Sequence, residues 1–394
     1  MQAFLQKNKW SILAAGAAIQ ILTGIPAAWG VFQGPERQEY GLDEGAASFI
    51  FSLTIGAFGL GCVIGGYLQD KAGPRAAGFA GTALLVGGFA AAGFLPAGAA
   101  WLFYVCFSAP VGLGCAFLYP AVMSCAQKWF SDKKGLATGV VGGAVGFSGA
   151  VLTLLVRWLS GRWGIRVCFW ALAGLMLAVC GTGSLLLQDP QGGQPAANAQ
   201  NAPQKDYTVG QMLKTRQYWL VFLITALGTP AVLLFSPIIV QLGQERGLTE
   251  NAAHLAIIIG SAGSAAGRLA MPALSDAIGR RAADLALFAA LAGLSAAFIF
   301  AQGWWVIAAY TALTFCYSGE AAVLPSLCTD LFGIKNTGVN YGFLALGMSA
   351  GSIGFPLLAK ALDLQLGRHF IAVGAAAAGL ACLWALKPTQ GEKL

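Results

Sequence analysis

Apolar residues recur along this chain in runs of about twenty, each closed by a short polar or glycine-containing break. An α-helix rises 1.5 Å per residue, so such a run can cross about 30 Å of hydrocarbon. The pattern predicts twelve spans, at 10–33, 46–69, 77–96, 101–127, 136–157, 166–188, 217–241, 252–274, 283–302, 304–329, 337–360 and 367–387. Lys7 and Lys9 precede the first run and Pro26-Ala27-Ala28 looks like a cleavage site, but the run is too long for a signal-peptide core. An uncleaved first helix is expected. One long polar interruption, 189–216, rich in Pro, Gly, Gln, Asn and Ala, separates six spans from six. The chain therefore reads as an N-terminal six-helix half (1–188), a flexible linker (189–216) and a C-terminal six-helix half (217–394).

Composition agrees with the pattern. Of 394 residues 57% are hydrophobic and 10% charged, whereas a soluble domain carries about 25% charged residues. The apolar excess must face lipid. Glycine, at 54 residues, is about twice as frequent as usual, which in a membrane protein points to closely packed helices. The nine cysteines all lie inside apolar runs and form no CxxC pair. Neither a disulfide framework nor a metal site is expected, and no cofactor fingerprint is present.

The net charge of +7 could suggest nucleic acid, but the basic residues are scattered over short loops, so no nucleic-acid partner is expected. They report orientation. On the side shared by the termini lie fifteen Lys and Arg residues; seven lie on the other side, and Arg268 is the remaining one of 23. The positive-inside rule then places both termini in the cytoplasm, with the chain crossing the inner (plasma) membrane many times.

The halves resemble one another. Gly66-Tyr67-Leu68-Gln69-Asp70-Lys71-Ala72-Gly73-Pro74-Arg75 follows span 2, and Pro272-Ala273-Leu274-Ser275-Asp276-Ala277-Ile278-Gly279-Arg280-Arg281 follows span 8. Asp70 and Asp276 are 206 residues apart, close to half the chain. A fainter echo links Trp129-Phe130-Ser131-Asp132-Lys133-Lys134-Gly135 to Leu331-Phe332-Gly333-Ile334-Lys335-Asn336-Thr337-Gly338. Such a turn lets two helices meet tightly, and its Asp can cap a helix or pair with an Arg across the half-to-half interface. Asp70, Arg75, Asp276 and Arg280 are thus candidate gating residues.

Two copies of this turn at half-length spacing resemble the signature loop of the major facilitator superfamily. Pro272 stands where that signature has a leading glycine. The resemblance implies an all-α fold of twelve helices in two pseudo-symmetric halves, with a mid-membrane substrate site and alternating access. Lys128-Trp129-Phe130-Ser131-Asp132-Lys133-Lys134-Gly135-Leu136-Ala137-Thr138-Gly139, Arg268 ahead of Ser275-Asp276, and Asn340-Tyr341-Gly342-Phe343 further resemble the oxalate:formate antiporter branch, which also takes in bacterial monocarboxylate carriers.

Two titratable residues fall well inside spans. Arg268 lies about 12 Å from the end of span 8 marked by Asp276, and Glu320 about 15 Å from Asp330 in span 10. A charge at mid-membrane costs about 2.5–3.5 kcal/mol on insertion scales, so each should face a cavity or a partner. Arg268 can hold a carboxylate through two parallel hydrogen bonds, or it can be fixed in an ion pair with Glu320 or on helix carbonyls. Its match to the branch's substrate-binding arginine implies the first. Glu320 can be a proton-coupling carboxylate, released from Arg268 when substrate takes over that arginine, or a structural glutamate.

The branch's oxalate carriers are expected to have a lysine in the middle of span 11, where this chain has Met348; Pro26 and Ala27 depart from the same pattern. One cation and one anion do not suit a dianion. A small monocarboxylate such as lactate, pyruvate or formate, moved with a proton, is the expected substrate. Tyr119 matches a pocket tyrosine of the branch, and Tyr317 lies one turn from Glu320. Trp29, with Gln20 and Thr23, is a candidate on span 1; Thr229, Ser236 and Tyr341 are further candidates. The span-5 glycines Gly139, Gly142, Gly143, Gly146 and Gly149 read as close helix packing. His254 and His369 read as interfacial.

Rival functions lack their marks. An intramembrane enzyme needs clustered catalytic groups, and none is spaced for that. A receptor would carry a soluble signalling domain, for which no segment outside the spans has the length. An exporter of cationic drugs would have a mid-span acid in the first six spans, and the sequence places none there. An oxalate/formate-type exchanger is the alternative within transport. The carrier is expected to act as a monomer.

Overall fold

The computed structural model describes residues 9–130, 134–190, 206–333, 336–362 and 367–386. Among these, eleven helical stretches are long and apolar enough to cross a membrane. They are α1 (Lys9–Tyr40), α2 (Glu44–Gln69), α3 (Lys71–Ala92), α4 (Ala100–Trp129), the stretch Ala137–Leu186, α7 (Arg216–Glu245), α8 (Glu250–Ile278), α9 (Arg280–Ile299), α10 (Trp304–Phe332), α11 (Gly338–Leu362) and α12 (Gly367–Ala385). At 50 residues, Ala137–Leu186 would be about 75 Å long if straight. Gly164, at φ 81° and ψ 167°, breaks it into α5 (137–163) and α6 (164–186), giving twelve crossings. Most of the linker expected at 189–216 lies outside the described residues.

The repeat is visible in the backbone. Gly73 (φ 84°, ψ 168°) separates α2 from α3, and Gly279 (φ 94°, ψ 145°), 206 positions on, separates α8 from α9. This conformation is open to glycine and strained for any residue with a Cβ. The first helix of each half is also interrupted at matching positions. Residues Lys9–Thr23 and Ile25–Tyr40 of α1 meet at Gly24, and in α7 the helix Arg216–Gly228 stops before Pro230, which has no N–H to donate.

The halves meet along two seams of small residues. In α5 a Cβ at Gly146 would strike the Ala265 backbone of α8, and one at Gly142 would lie 3.7 Å from the Arg268 Cβ. In α2 a Cβ at Gly56 would overlap Ile353 of α11, while Ser349 Oγ donates to Gly56 O at 2.7 Å. The span-5 glycines are therefore packing positions. Away from the linker, Ile25–Tyr40 also packs against Ser236–Ile238, Ile239–Glu245 and α8, whereas Lys9–Thr23 packs on α4 and α5 of its own half. Arg368 Nη2 to Glu44 Oε1 (3.2 Å) and Arg157 Nη2 to Asn251 Oδ1 (2.8 Å) tie the halves at that far end. Exposed tryptophans ring both ends, with Trp101, Trp158, Trp304 and Trp305 at the far end and Trp10, Trp219 and Trp384 near the linker. These are the levels at which a bilayer has its interfaces.

Candidate functional site

A cavity of about 150 Å³ lies between the halves where both first helices break. The N-terminal half lines it with Gln20, Thr23, Pro26, Phe58, Tyr119 and Val145, among others. The C-terminal half brings Leu233, Ser236, Ser264, Arg268, Tyr317, Ser318, Tyr341 and Met348. Arg268 is the one charged side chain among the described lining residues.

Arg268 reaches the cavity because α8 presents Gly260, Ser261, Ser264 and Arg268 on one face, at the i, i+4 spacing of a helix. The guanidinium makes no ion pair within 4 Å and no hydrogen bond among the described residues, and its Nε is buried without a partner. The fixed pair with Glu320 that the sequence left open is therefore absent from this conformation. Arg268 does lie within electrostatic reach of Tyr119, Tyr317, Tyr341 and Glu320. Three phenols thus surround one free cation. Tyr119 packs edge-on to Phe58 with ring centroids 6.1 Å apart, and its carbonyl accepts from Gln20 Nε2 at 3.4 Å. Ser264 and Ser318 share a hydroxyl–hydroxyl bond of 2.7 Å one turn from Arg268.

Glu320 sits behind the wall, 3% exposed, while its neighbours Tyr317, Ser318 and Ala321 line the cavity. Its carboxylate faces Gly228 at the break in α7, where an added Cβ would come within 3.6 Å of Oε2. Trp29 does not reach the cavity. Beyond the break at Gly24 its face of α1 turns into the N-terminal half, where its ring lies 5.8 Å from Phe32 and 5.7 Å from Phe107. Thr229 also stays outside, donating to Ala226 O at 2.7 Å.

Among the described residues, the gating candidates Arg75, Asp276 and Arg280 make their contacts within their own halves. Arg75 Nη2 donates to Leu185 O at the end of α6 (2.7 Å). Arg280 pairs with Asp276 and, at 3.2 Å, with Asp330 of α10. Among the described residues, neither Arg75 nor Arg280 forms the cross-half pairing anticipated from the motif. The motif also shifts by one, since Arg281, 206 positions from Arg75, donates to Leu383 O and Trp384 O at the end of α12. Asp70 belongs to the helix, but its side chain lies outside the described residues. His369 is not merely interfacial: its Nε2 lies 3.0 Å from Arg246 Nη2, and its ring packs against Phe235.

Two buried carboxylates escaped the sequence reading. Glu36 is fully buried with both oxygens unpartnered, and Asp284 is 2% exposed with Oδ1 unpartnered. The apolar runs of the sequence end at 33 and begin at 283, so each reads as a charge at a helix end.

A membrane fold in two broken-helix halves, with one free cation among the described residues of a central cavity, defines a carrier. The chain belongs to the major facilitator superfamily, whose model matches residues 11–244 and again 221–393. It is a multi-pass membrane transporter rather than an enzyme. Among its relatives, "Uncharacterized MFS-type transporter YhjX" of Escherichia coli (strain K12) is 28% identical over 88% of this chain and 87% of its own length. The "Oxalate:formate antiporter" of Oxalobacter formigenes is 26% identical over 88% and 83%. "Monocarboxylate transporter 13" of Bos taurus is 26% identical over 54% and 51%. The crystal structure of a D-xylose-proton symporter shares the fold, with a TM-score of 0.70 over 98% of this chain and 99% of that one, at 15% identity.

Proposed function

We propose that this protein carries a small monocarboxylate, such as lactate, pyruvate or formate, together with a proton. The observation that carries the reading is Arg268, a mid-membrane guanidinium facing the cavity with no ion pair among the described residues. Leaving such a charge unpaired costs several kcal/mol, a cost that a bound carboxylate removes. Tyr119, Tyr317 and Tyr341 supply hydroxyl donors around that carboxylate, while Phe58, Leu233 and Met348 give its remainder an apolar wall. Met348 lines the cavity where a second cation is expected in oxalate carriers, which favours a monoanion.

Glu320 is the proton carrier in this reading. Substrate neutralises Arg268, whose charge reaches Glu320 through space, and the Glu320 carboxylate takes up a proton in step with it. The halves, 1–188 and 217–394, rock about the cavity, with the linker and both termini on the cytoplasmic face of the plasma membrane. The relative named as an oxalate:formate antiporter keeps anion exchange as the second reading.

Proteoliposomes settle the choice. Labelled L-lactate or formate should enter faster under an inward proton gradient, and Arg268→Ala should abolish the uptake. Undiminished uptake in that variant would remove the anchor. Acids of the right class should also raise the thermal midpoint of the purified protein, because a ligand that binds only the native state stabilises it.

A further inference from the structure

Glu320 is shut off from the cavity by its own helix, so a proton needs another way to it. Asp284 lies on one. Arg280 Nε meets Asp330 Oδ2 at 3.2 Å, which sets the linker ends of α9 and α10 level. From that level Asp284 is four residues, about 6 Å, into α9, and Glu320 is ten residues, about 15 Å, into α10. One turn beyond Asp284, Phe288 meets Gly228, the same residue that the Glu320 carboxylate faces. Depth from the linker end therefore runs from the Arg280 cluster through Asp284, about 6 Å in, to Arg268 and Glu320, about 12 and 15 Å in.

The neighbouring charges leave Asp284 unengaged. Arg280 is held by Asp276 and Asp330, and Asp284 feels it only through space. Asp284 and Glu320 interact electrostatically, and Glu320 in turn feels Arg268 and Tyr317. Of the other helices packed on α9 and α10, α12 brings Arg368 and His369 at its far end and Cys382 near the linker, while α11 and α7 bring Tyr341 and Tyr218. No cation lies within 4 Å of Asp284 among the described residues, and its Oδ1 is buried without a hydrogen bond.

An unpaired buried carboxyl costs stability and serves no packing purpose that an asparagine or leucine would not serve better. We propose that Asp284 is the relay through which the coupling proton passes between water at the linker end and Glu320, apart from the route the substrate takes. Asp284 accepts a proton from water at the linker end and gives it up to water entering between α9 and α10, which carries it the remaining distance of about 9 Å to the Glu320 carboxylate and leaves Asp284 ionised; the return journey reverses these steps. A side chain with one free oxygen can do this, and asparagine cannot. The proposal rests on Glu320 being the proton carrier, and it deepens that reading by naming how the proton arrives.

The test follows the proton directly. Protein in liposomes is stepped from neutral to mildly acidic pH while the infrared carbonyl stretch of protonated carboxyl groups is recorded. The Glu36→Gln background removes the third buried carboxyl, and the Glu320 band is the part that Glu320→Gln abolishes. In Asp284→Asn the band should reach its usual amplitude about tenfold or more slowly, with Asp284→Glu restoring the rate. A Glu320 band that rises at the unaltered rate in Asp284→Asn overturns the relay, as does a transport result in which that variant keeps full gradient-driven L-lactate uptake. Retained counterflow of L-lactate in Asp284→Asn shows that the variant is folded. If the unaltered protein moves neither lactate nor formate while the band behaves as expected, the substrate reading fails and the relay stands. If no band is lost in Glu320→Gln, Glu320 takes up no proton and both proton assignments fall.

Discussion

Gly73 and Gly279, 206 residues apart, turn the chain in the same way, and Gly24 and Pro230, again 206 apart, interrupt the first helix of each half. The deepest carboxylates of those halves nevertheless have opposite surroundings. Glu36 is walled off within the N-terminal half, sharing its helix face with Trp29 and Phe32. Glu320 lies within electrostatic reach of Asp284, Arg268 and Tyr317. The duplicated backbone makes the carrier; the ionisable groups are concentrated in one copy. All three of Arg268, Glu320 and Asp284 belong to the C-terminal half, so under the proposed rocking they would keep their mutual distances while access to them changes. The N-terminal half supplies the opposing wall, polar at Gln20 and Thr23 and aromatic at Phe58 and Tyr119.

That contrast can be broken at several points. The largest effect is expected from Arg268→Ala. Loss of a buried charged partner costs about 3 kcal/mol, so L-lactate uptake in proteoliposomes should fall on the order of a hundredfold. Arg268→Lys, which keeps charge but loses the planar fork, should fall between the two. Next comes the comparison of Glu320→Gln with Glu36→Gln. The first should lose about tenfold of gradient-driven accumulation and keep counterflow, while the second should change either rate by less than about twofold. Equal losses in both would erase the functional difference between the halves.

Smaller effects test the seams. Gly146→Val drives a side chain into the Ala265 backbone and should lower stability by about 1–3 kcal/mol, seen as a lower thermal midpoint. Gly174→Ala, on an α6 face with nothing within 4 Å, should be neutral or stabilising by up to about 1 kcal/mol. Smallest of all, Glu44→Gln should cost less than about 1 kcal/mol, because its pair with Arg368 is partly exposed. A large loss there would make the far-end tie a principal lock.

Much of this was legible in the sequence because lipid imposes a simple rule. Twenty-residue apolar runs gave the spans, and Arg268 stood out because no loop was near enough to explain it. What escaped depended on where helices really end. The first helix passes Pro35 and continues to Tyr40, which carries Glu36 inward. Asp284 looked like one more charge beside Arg280 and Arg281, and only the packing of α10 and α12 over α9 buries it. Trp29 was misjudged for a different reason: hydropathy follows a helix face until the helix breaks, and at Gly24 the face changes. The arginine register slipped because Arg280 and Arg281 are adjacent and both are basic. Only the carbonyls they reach tell them apart.

Those carbonyls carry a mechanical meaning. Arg75 ties the start of α3 to the end of α6, and Arg281 ties the start of α9 to the end of α12. Each half is thus splinted across its own outer helices on the side nearest the linker, where a rocking body would otherwise shear. A covalent staple placed along either splint should leave the carrier free to turn over, whereas one joining Gly146 to Ala265 should arrest it.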